Sequence, residues 1–485
     1  MRNPLTARAS SLEGEDIPHE IYGFRPYLLA ISASWASTMY GYDSAFIGGT
    51  LSLPSFQRTY GLDTASDFAK ANLSSNIVST FQGGAFFGCA SSFLVAERFG
   101  RRPTLILAAI IFSIGAALRM VGRLDCLYVG RALKGWGVGS SAMTLPIYVS
   151  ECSPALIRGR LVGTFEAMLQ AALVCGFWFN YSVNKIISPE GNMQWHVPVA
   201  VQFVPTGLKL QETRKNLSWV RNLSQDHAYI DREMSMIEVA IEHEMSSTGQ
   251  RGNWRQIFSE LFQPGVRANK SSINAINYYS PTILKSIGFT GTSVGLLATG
   301  IFGIVKMVAT MLYAAFLVDK LGRRPLLLIG IRLEHIPPMD AGAKTAVAMV
   351  YIYALFYGMS WNGIPWLFTS EIIPNRVRTL GMAFCICVQW VTQFIVVYSL
   401  PHMVIGITYG TFLFFGACTV LAIIFAWLFI PETKGVQLED MDLLFGPDVP
   451  ILASQARDNY LQGIGARALE ERDGGKMKAT EIENV

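Results

Sequence analysis

The sequence predicts an all-α membrane protein made of two six-helix halves, and three observations carry that prediction. Of 485 residues, 51% are hydrophobic and 15% charged, and the mean hydropathy is positive, a balance foreign to a water-soluble domain. Nine apolar stretches are long enough to cross hydrocarbon, which at 1.5 Å of helical rise per residue takes roughly 20 residues for a core of about 30 Å. A charged string also occurs twice, reading Ala96-Glu97-Arg98-Phe99-Gly100-Arg101-Arg102-Pro103 and then Val318-Asp319-Lys320-Leu321-Gly322-Arg323-Arg324-Pro325, 222 residues later. The chain therefore reads as a duplicated unit.

Taken in order, residues 1–24 form a polar N-terminal tail with Glu13, Glu15, Asp16 and Glu20 and no apolar core of a signal peptide. The first span is thus expected to direct insertion. The first transmembrane half is placed at 25–208, with spans near 26–48, 73–96, 104–122, 126–149 and 160–183. Residues 209–264 are polar, with Ile230, Met234, Ile237 and Ile241 at helical spacing among charges, which points to cytoplasmic linker helices. The second half is placed at 265–430, with spans near 292–318, 345–369, 380–404 and 411–430, followed by a polar tail over 431–485. Lys and Arg in both repeated loops set those loops, and with them both termini, on the cytoplasmic side.

Three apolar pieces fall where a sixth, seventh and ninth span belong, and all are short. Val197 to Leu208 reaches about 18 Å, Asn274 to Ile287 is interrupted by Pro281 and Lys285, and Leu326 to Ile331 reaches about 9 Å before Arg332, Glu334 and His335. Irregular backbone is not tolerated against lipid, so a six-residue stub is no ordinary span. Either neighbouring helices cover these pieces or coding segments are missing, and the abruptness of the losses beside intact motifs favours the second.

Composition also excludes classes. The net charge of +4 is slight and the bases gather in short loops rather than on one helix face, which argues against a nucleic-acid partner. Cys89, Cys126, Cys152, Cys175, Cys385, Cys387 and Cys418 are scattered through or beside apolar runs without metal-site spacing, as packing residues are. No nucleophile, base and oxyanion set stands out, so neither an enzyme nor a cofactor or metal site is expected.

Several strings carry a resemblance. They are the two Gly-Arg-Arg loops; Gly130-Arg131 followed by Gly135-Trp136-Gly137-Val138-Gly139; and Pro146-Ile147-Tyr148-Val149-Ser150-Glu151 with Pro154 and Arg158-Gly159. Asn274-Ala275-Ile276-Asn277-Tyr278-Tyr279-Ser280-Pro281 and Pro431-Glu432-Thr433-Lys434-Gly435 complete the set. From about residue 22 to 446 the chain resembles the sugar porter family of the major facilitator superfamily. Gly41-Tyr42-Asp43-Ser44-Ala45-Phe46-Ile47-Gly48 leans toward its fungal quinate and hexose permease branch. The resemblance implies the major facilitator fold, with spans 6, 7 and 9 truncated here. The repeat agrees: Ser150-Glu151 with Pro154 and Arg158 recurs as Ser370-Glu371 with Pro374 and Arg378, and halves so related place a substrate site between them near the midplane.

Candidate residues follow. Asp43 lies inside the first span, where an ionised group must be paired. Arg131 is the expected partner, and the resemblance implies a proton-coupling role for the pair. Glu166 and Gln170, four apart, share a helix face. The family usually presents a sugar-binding glutamine where Glu166 stands; a glutamate accepts from hydroxyls but repels a carboxylate unless protonated, so a second proton site is possible there. Asn274, Asn277, Tyr278 and Tyr279 are expected to meet polyol hydroxyls, Trp366 to offer a flat face to a ring, and Gln389 and Gln393 to add amide groups from one face. Glu97, Arg101, Arg102, Glu151 and Arg158, with Asp319, Arg323, Arg324, Glu371 and Arg378, form the expected cytoplasmic gate, in which arginines bind helix-end carbonyls or the acids. Arg119 and Lys306 are expected to snorkel toward an interface.

Departures limit the resemblance. The Pro-Glu-Ser-Pro-Arg motif after the sixth span is absent, and Ala268 and Asn269 stand where two glutamines are expected before Asn274. The function expected is proton-coupled import of a monosaccharide or quinate-like cyclic polyol across the plasma membrane, with protons and the lipid bilayer as the other partners. The alternative is a non-transporting nutrient sensor or an inactive truncated member.

Overall fold

A computed structural model of the protein describes residues 24–152, 158–203, 292–314, 324–325, 342–372, 378–407, 410–433 and 455. These are helical with short turns, and no strand occurs among them. The linker helices expected over 209–264, the short pieces at 274–287 and 326–331 and the distal C-terminal tail lie outside the described residues, so the proposed domain boundaries there rest on sequence.

The first expected span is two helices, α1 (Phe24–Ser34) and α2 (Ser37–Thr50). They break at Trp35 and Ala36, and Ser37 Oγ, which reaches both the Ser34 carbonyl at 2.6 Å and the Phe165 carbonyl at 2.9 Å, holds the break. All 14 residues of α2 are buried. After the short α3 (Pro54–Thr59) comes α4 (Asp67–Phe99), whose N-terminus is capped by Ser66 Oγ accepting from the Ala69 amide.

A single residue separates α4 from α5 (Arg101–Arg119), and that residue, Gly100, has φ 86°. A side chain there would be strained, which explains why the repeated loop carries glycine between two long helices. α6 (Leu124–Cys152) packs between α4 and α5. Its Gly135 and Gly139 face α4 so closely that a Cβ on either would run into the carbonyl oxygens of Phe81 and Ala85, and small residues are what let helix backbones approach in lipid. α7 (Arg158–Ile186) packs on α2, and α8 (Met193–Val201) follows it.

In the second half, α9 (Thr292–Leu312) packs on α7 and on α10 (Gly342–Met359). The stretch expected as one span near 345–369 is broken between α10 and α11 (Ile364–Ile372) at Ser360 to Gly363. Pro365 disfavours helical backbone in the residue before it and lacks an amide donor. Gly363 sits against Tyr313, where a Cβ would come within 2.7 Å of the ring. α12 (Arg378–Ile407) lies along α4, and α13 (Gly410–Phe429) is the last of these helices. The halves thus meet through α4 with α12 and α7 with α9.

Among the described residues, five helices are long and apolar enough to cross a membrane: Asp67–Phe99, Arg101–Arg119, Gly159–Ile186, Ser293–Leu312 and Thr379–Ile407. The distribution of side chains is inverted relative to a soluble bundle. Leu413, Leu421 and Trp427 on α13 and Ile110 and Ile114 on α5 are more than half exposed, while Asp43, Arg131 and Lys134 are fully buried. Such an apolar exterior is stable against lipid and would aggregate in water.

Candidate functional site

Two polar clusters lie in the buried interior. The first surrounds Asp43 on α2. Arg131 Nη1 donates to its Oδ2 at 2.7 Å, as expected. Two more cations join: Arg119 Nη1 donates to Oδ1 at 3.2 Å and Lys134 Nζ donates to the same oxygen. Gln202 Nε2 adds a contact at 3.4 Å, and Gln202 Oε1 accepts from Lys134. Arg131 is steadied by the carbonyls of Ile77 and Val78 on α4, and the cations rest on aromatic faces, Arg119 over Phe46 at 4.7 Å and Arg131 over Phe81 at 4.8 Å.

The local sequence explains how three cations fit. Arg131 and Lys134, three apart on α6, share a face. A Cβ on Gly130 would lie 2.7 Å from Arg119 Cγ and one on Gly115 2.8 Å from Lys134 Cγ, so the glycine of the Gly130-Arg131 motif makes room for a neighbouring arginine stem. Arg119, expected to snorkel, is instead 1% exposed. Leaving so large a charge unpaired at this depth is unfavourable, and Asp43 is within its reach. Lys134 was not singled out from sequence, although its three-residue spacing from Arg131 was a readable signal.

The second cluster joins the halves. Glu166 and Gln170 on α7 share a face, and Gln170 Nε2 donates to Glu166 Oε1 at 2.6 Å. Asn362, in the break between α10 and α11, donates to the same Glu166 oxygen at 2.5 Å and to Thr310 Oγ1 on α9 at 3.4 Å. Gln170 Nε2 also approaches Asn362 Oδ1 at 3.4 Å. Lys306, one turn before Thr310 on α9, holds its ammonium 5.1 Å from the Tyr357 ring centroid. It is 1% exposed, so it too does not snorkel. Asn362 carried no sequence signal beyond its place before Gly363 and Pro365.

Other expected substrate residues lie nearby. Trp366 packs edge-to-face on Phe165 at 5.4 Å, which brings α11 against α7. Trp390, between the expected Gln389 and Gln393 on α12, touches Tyr40 and Phe81 of the first half. Gln170 Oε1, Gln389 Nε2 and Trp390 Nε1 are buried with no hydrogen-bond partner among the described residues. Asn274, Asn277, Tyr278 and Tyr279 lie outside those residues.

Of the expected gate, Arg101 Nη2 donates across the halves to Thr379 Oγ1 at 3.4 Å. Arg324 binds a helix-end carbonyl, that of Trp427, at 2.9 Å, and its amide donates to Glu432 Oε2 at 3.0 Å. Glu97 and Arg102 are exposed. Asp319 and Arg323, and the side chains of Glu151, Arg158, Glu371 and Arg378, lie outside what the structure describes. At the other end of the same seam, His402 Nε2 is 2.7 Å from Asn72 Oδ1.

Two helical bundles that meet along a buried polar seam, wrapped in an apolar exterior, are the architecture of a polytopic membrane transporter. Residues 29–445 match the family described as "Sugar (and other) transporter", and the chain belongs to that family, within the major facilitator superfamily. It is 39% identical to the MFS-type transporter qa-x of Neurospora crassa, over 89% of this chain and 91% of that one. It is also 39% identical to a probable quinate permease of Aspergillus flavus, over 97% and 98% of the two chains. That second alignment runs over 532 positions, more than the 485 residues of this chain, so the relative has residues with no counterpart here. Among solved structures, the proton:xylose symporter XylE bound to 6-bromo-6-deoxy-D-glucose shares the fold with a TM-score of 0.74 at 24% identity, covering 87% of this chain and 99% of that one. A D-xylose-proton symporter matches with a TM-score of 0.61 at 26% identity, over 84% and 99%.

Proposed function

We propose that this transporter is a proton-coupled importer of a monosaccharide or quinate-like cyclic polyol, working at the plasma membrane with both termini in the cytoplasm. The observation that carries the reading is the buried ion pair of Asp43 with Arg131 in the first half, beside a second buried carboxylate, Glu166, at the seam. A carboxylate enclosed by movable cations loads a proton when its partners withdraw and gives it up when they return. The names of the relatives, quinate permeases and xylose symporters, support the same substrate class.

Ring hydroxyls would be held by Glu166, Gln170, Gln389 and Gln393, with Trp366 against the ring face and Asn274, Asn277, Tyr278 and Tyr279 contributing from the second half. Arg101, Arg102, Arg323 and Arg324, with Glu97, Asp319, Glu151 and Glu371 and with Arg158 and Arg378, would close the cytoplasmic side through contacts that break as the halves rock.

The test is uptake of labelled glucose and labelled quinate into cells that lack their own permeases, with and without a protonophore. Uptake that the protonophore abolishes is expected. Absence of uptake of either ring polyol overturns the reading in favour of a non-transporting sensor or inactive member.

A further inference from the structure

The cluster around Asp43 holds more positive charge than one carboxylate balances. Arg119 Nη1, Arg131 Nη1 and Lys134 Nζ all bond to Asp43, and each of the four residues is at most 1% exposed. With every group ionised, the enclosed cluster carries two positive charges in excess, in an interior where an unmatched charge is costly. Arg119 and Arg131 are guanidiniums, which stay protonated in proteins. Of the three cations, Lys134 is the one that can give up its charge.

A proton on Asp43 moves the cluster the wrong way, since it removes the negative charge and leaves three cations facing one another. Both carboxylate oxygens are also occupied, Oδ2 by Arg131 and Oδ1 by Arg119, Lys134 and Gln202, so a proton there has to displace a cation or a donor. A proton on Lys134 displaces nothing. Nζ has two acceptors among the described residues, Asp43 Oδ1 and Gln202 Oε1, and a neutral amine with two N–H bonds still serves both. Beyond them lie ring faces, with Nζ 4.8 Å from the Phe112 centroid and 6.0 Å from that of Phe46. The rings favour the ammonium and the two guanidiniums oppose it, which leaves the amine balanced between its two states.

The other groups around α6 are engaged elsewhere. On α2, Tyr42 donates its hydroxyl to the Pro198 carbonyl at 3.1 Å. α3 brings Tyr60 toward Arg119, and α4 supplies the Ile77 and Val78 carbonyls to Arg131. Glu166 of α7 accepts from Gln170 and Asn362. α12 brings Cys387, whose thiol donates to the Phe86 carbonyl, and α1 carries Tyr27. The charged groups acting on Lys134 among the described residues are thus Asp43, Arg119 and Arg131.

We propose that Lys134 Nζ carries the transported proton and that Asp43 stays ionised as its counter-charge. The inference rests on the proton-coupled reading above and moves the proton within the same cluster, from the carboxylate to the amine beside it. Loading adds one proton from the outer solution to the neutral amine and forms the ammonium. Release returns that proton to water on the inner side. Either form keeps its hydrogen bonds to Asp43 and Gln202, so the cycle changes one charge without dismantling the cage.

The experiment uses the full chain reconstituted in liposomes, with labelled quinate as the probe and labelled glucose in parallel. Accumulation driven by an acid exterior is compared with exchange of labelled for unlabelled probe at equal pH on both sides, which needs no net proton movement. The wild type is expected to accumulate probe, to make the exterior more alkaline as it does so, and to stop when a protonophore is added. Lys134→Arg holds a cation that cannot be released. It should lose accumulation and alkalinisation while exchange persists at a rate that no longer varies with pH. Lys134→Met holds the position neutral and should lose accumulation as well.

Thermal unfolding establishes that each variant is folded, and if Lys134→Arg is not, Lys134→Met decides. Accumulation by either folded variant overturns the inference alone, because Asp43 is intact in both and is then the carrier. Loss of exchange in a folded Lys134→Arg protein also overturns it, since it marks Lys134 as a residue that only holds the shape of the cluster. If the wild type accumulates neither probe, or still accumulates one with the protonophore present, the proton-coupled reading fails and the inference falls with it.

Discussion

Asn362, in the break between α10 and α11, donates to Glu166 on α7, so a single carboxamide bridges the two halves of the molecule at their buried seam. The bond exists because α10 stops early. Had the helix run through residues 360–363, the Asn362 side chain would follow the helical rotation instead of projecting from a turn. Removing it leaves a buried carboxylate short of a donor. Asn362→Ala should cost about 1.5–3 kcal/mol, the range for hydrogen bonds to charged groups, and should raise the KM for ring polyol uptake. Thermal unfolding of the purified protein checks the first and initial-rate uptake the second.

Asp43 is one carboxylate among three buried cations. Asp43→Asn leaves Arg119, Arg131 and Lys134 facing one another across a neutral amide, and should lose about 3–5 kcal/mol, as when one partner of a buried ion pair is removed. Arg119→Met removes one of three cations and leaves Asp43 paired twice, so it should be clearly milder. The comparison is read from unfolding midpoints in detergent; a milder effect for Asp43→Asn than for Arg119→Met would refute the cage.

Gly135 faces the Phe81 carbonyl with no space for a side chain, whereas a methyl group on Gly406 of α12 would meet nothing within 4 Å. Gly135→Ala should force α4 and α6 apart and destabilise by about 1–3 kcal/mol, while Gly406→Ala should be neutral or slightly stabilising, since it removes a flexible residue from a helix. Expression level and midpoint in parallel decide it.

Asn72 and His402 join α4 to α12 at the end of the seam opposite Arg101 and Thr379. If the halves separate at each end in turn, a tether at either end stops the cycle. A cysteine pair at positions 72 and 402, bridged by a short crosslinker, should abolish uptake, with recovery on reduction and no effect of the reagent on either single variant. Uptake that persists in the crosslinked protein would show that this end need not open.

The physical basis of legibility differs between helices and contacts. The nine apolar stretches became helices because length and hydropathy act locally along the chain. Two of them broke, and the breaks depend on distant groups: the Phe165 carbonyl that receives Ser37, and the Tyr313 ring against Gly363. Arg119 and Lys306 were expected to snorkel because spacing along a helix assigns a face and not a depth or a partner. Both turned inward, Arg119 to the Asp43 carboxylate that another helix supplies and Lys306 to a position 1% exposed.

The sequence alone determined that this protein spans a membrane, that it is duplicated and that it belongs with the sugar transporters, since composition, repeat and motif are all counted residue by residue. The pairing of Asp43 with Arg131 was also within its reach, because a single acid in an early span requires a base. Only the tertiary structure decided that Arg119 and Lys134 share that acid, and that Glu166 meets Asn362 across the halves. A low-dielectric interior makes some partner obligatory for each buried charge, but which residues come within reach is settled by helix packing between segments far apart in the chain.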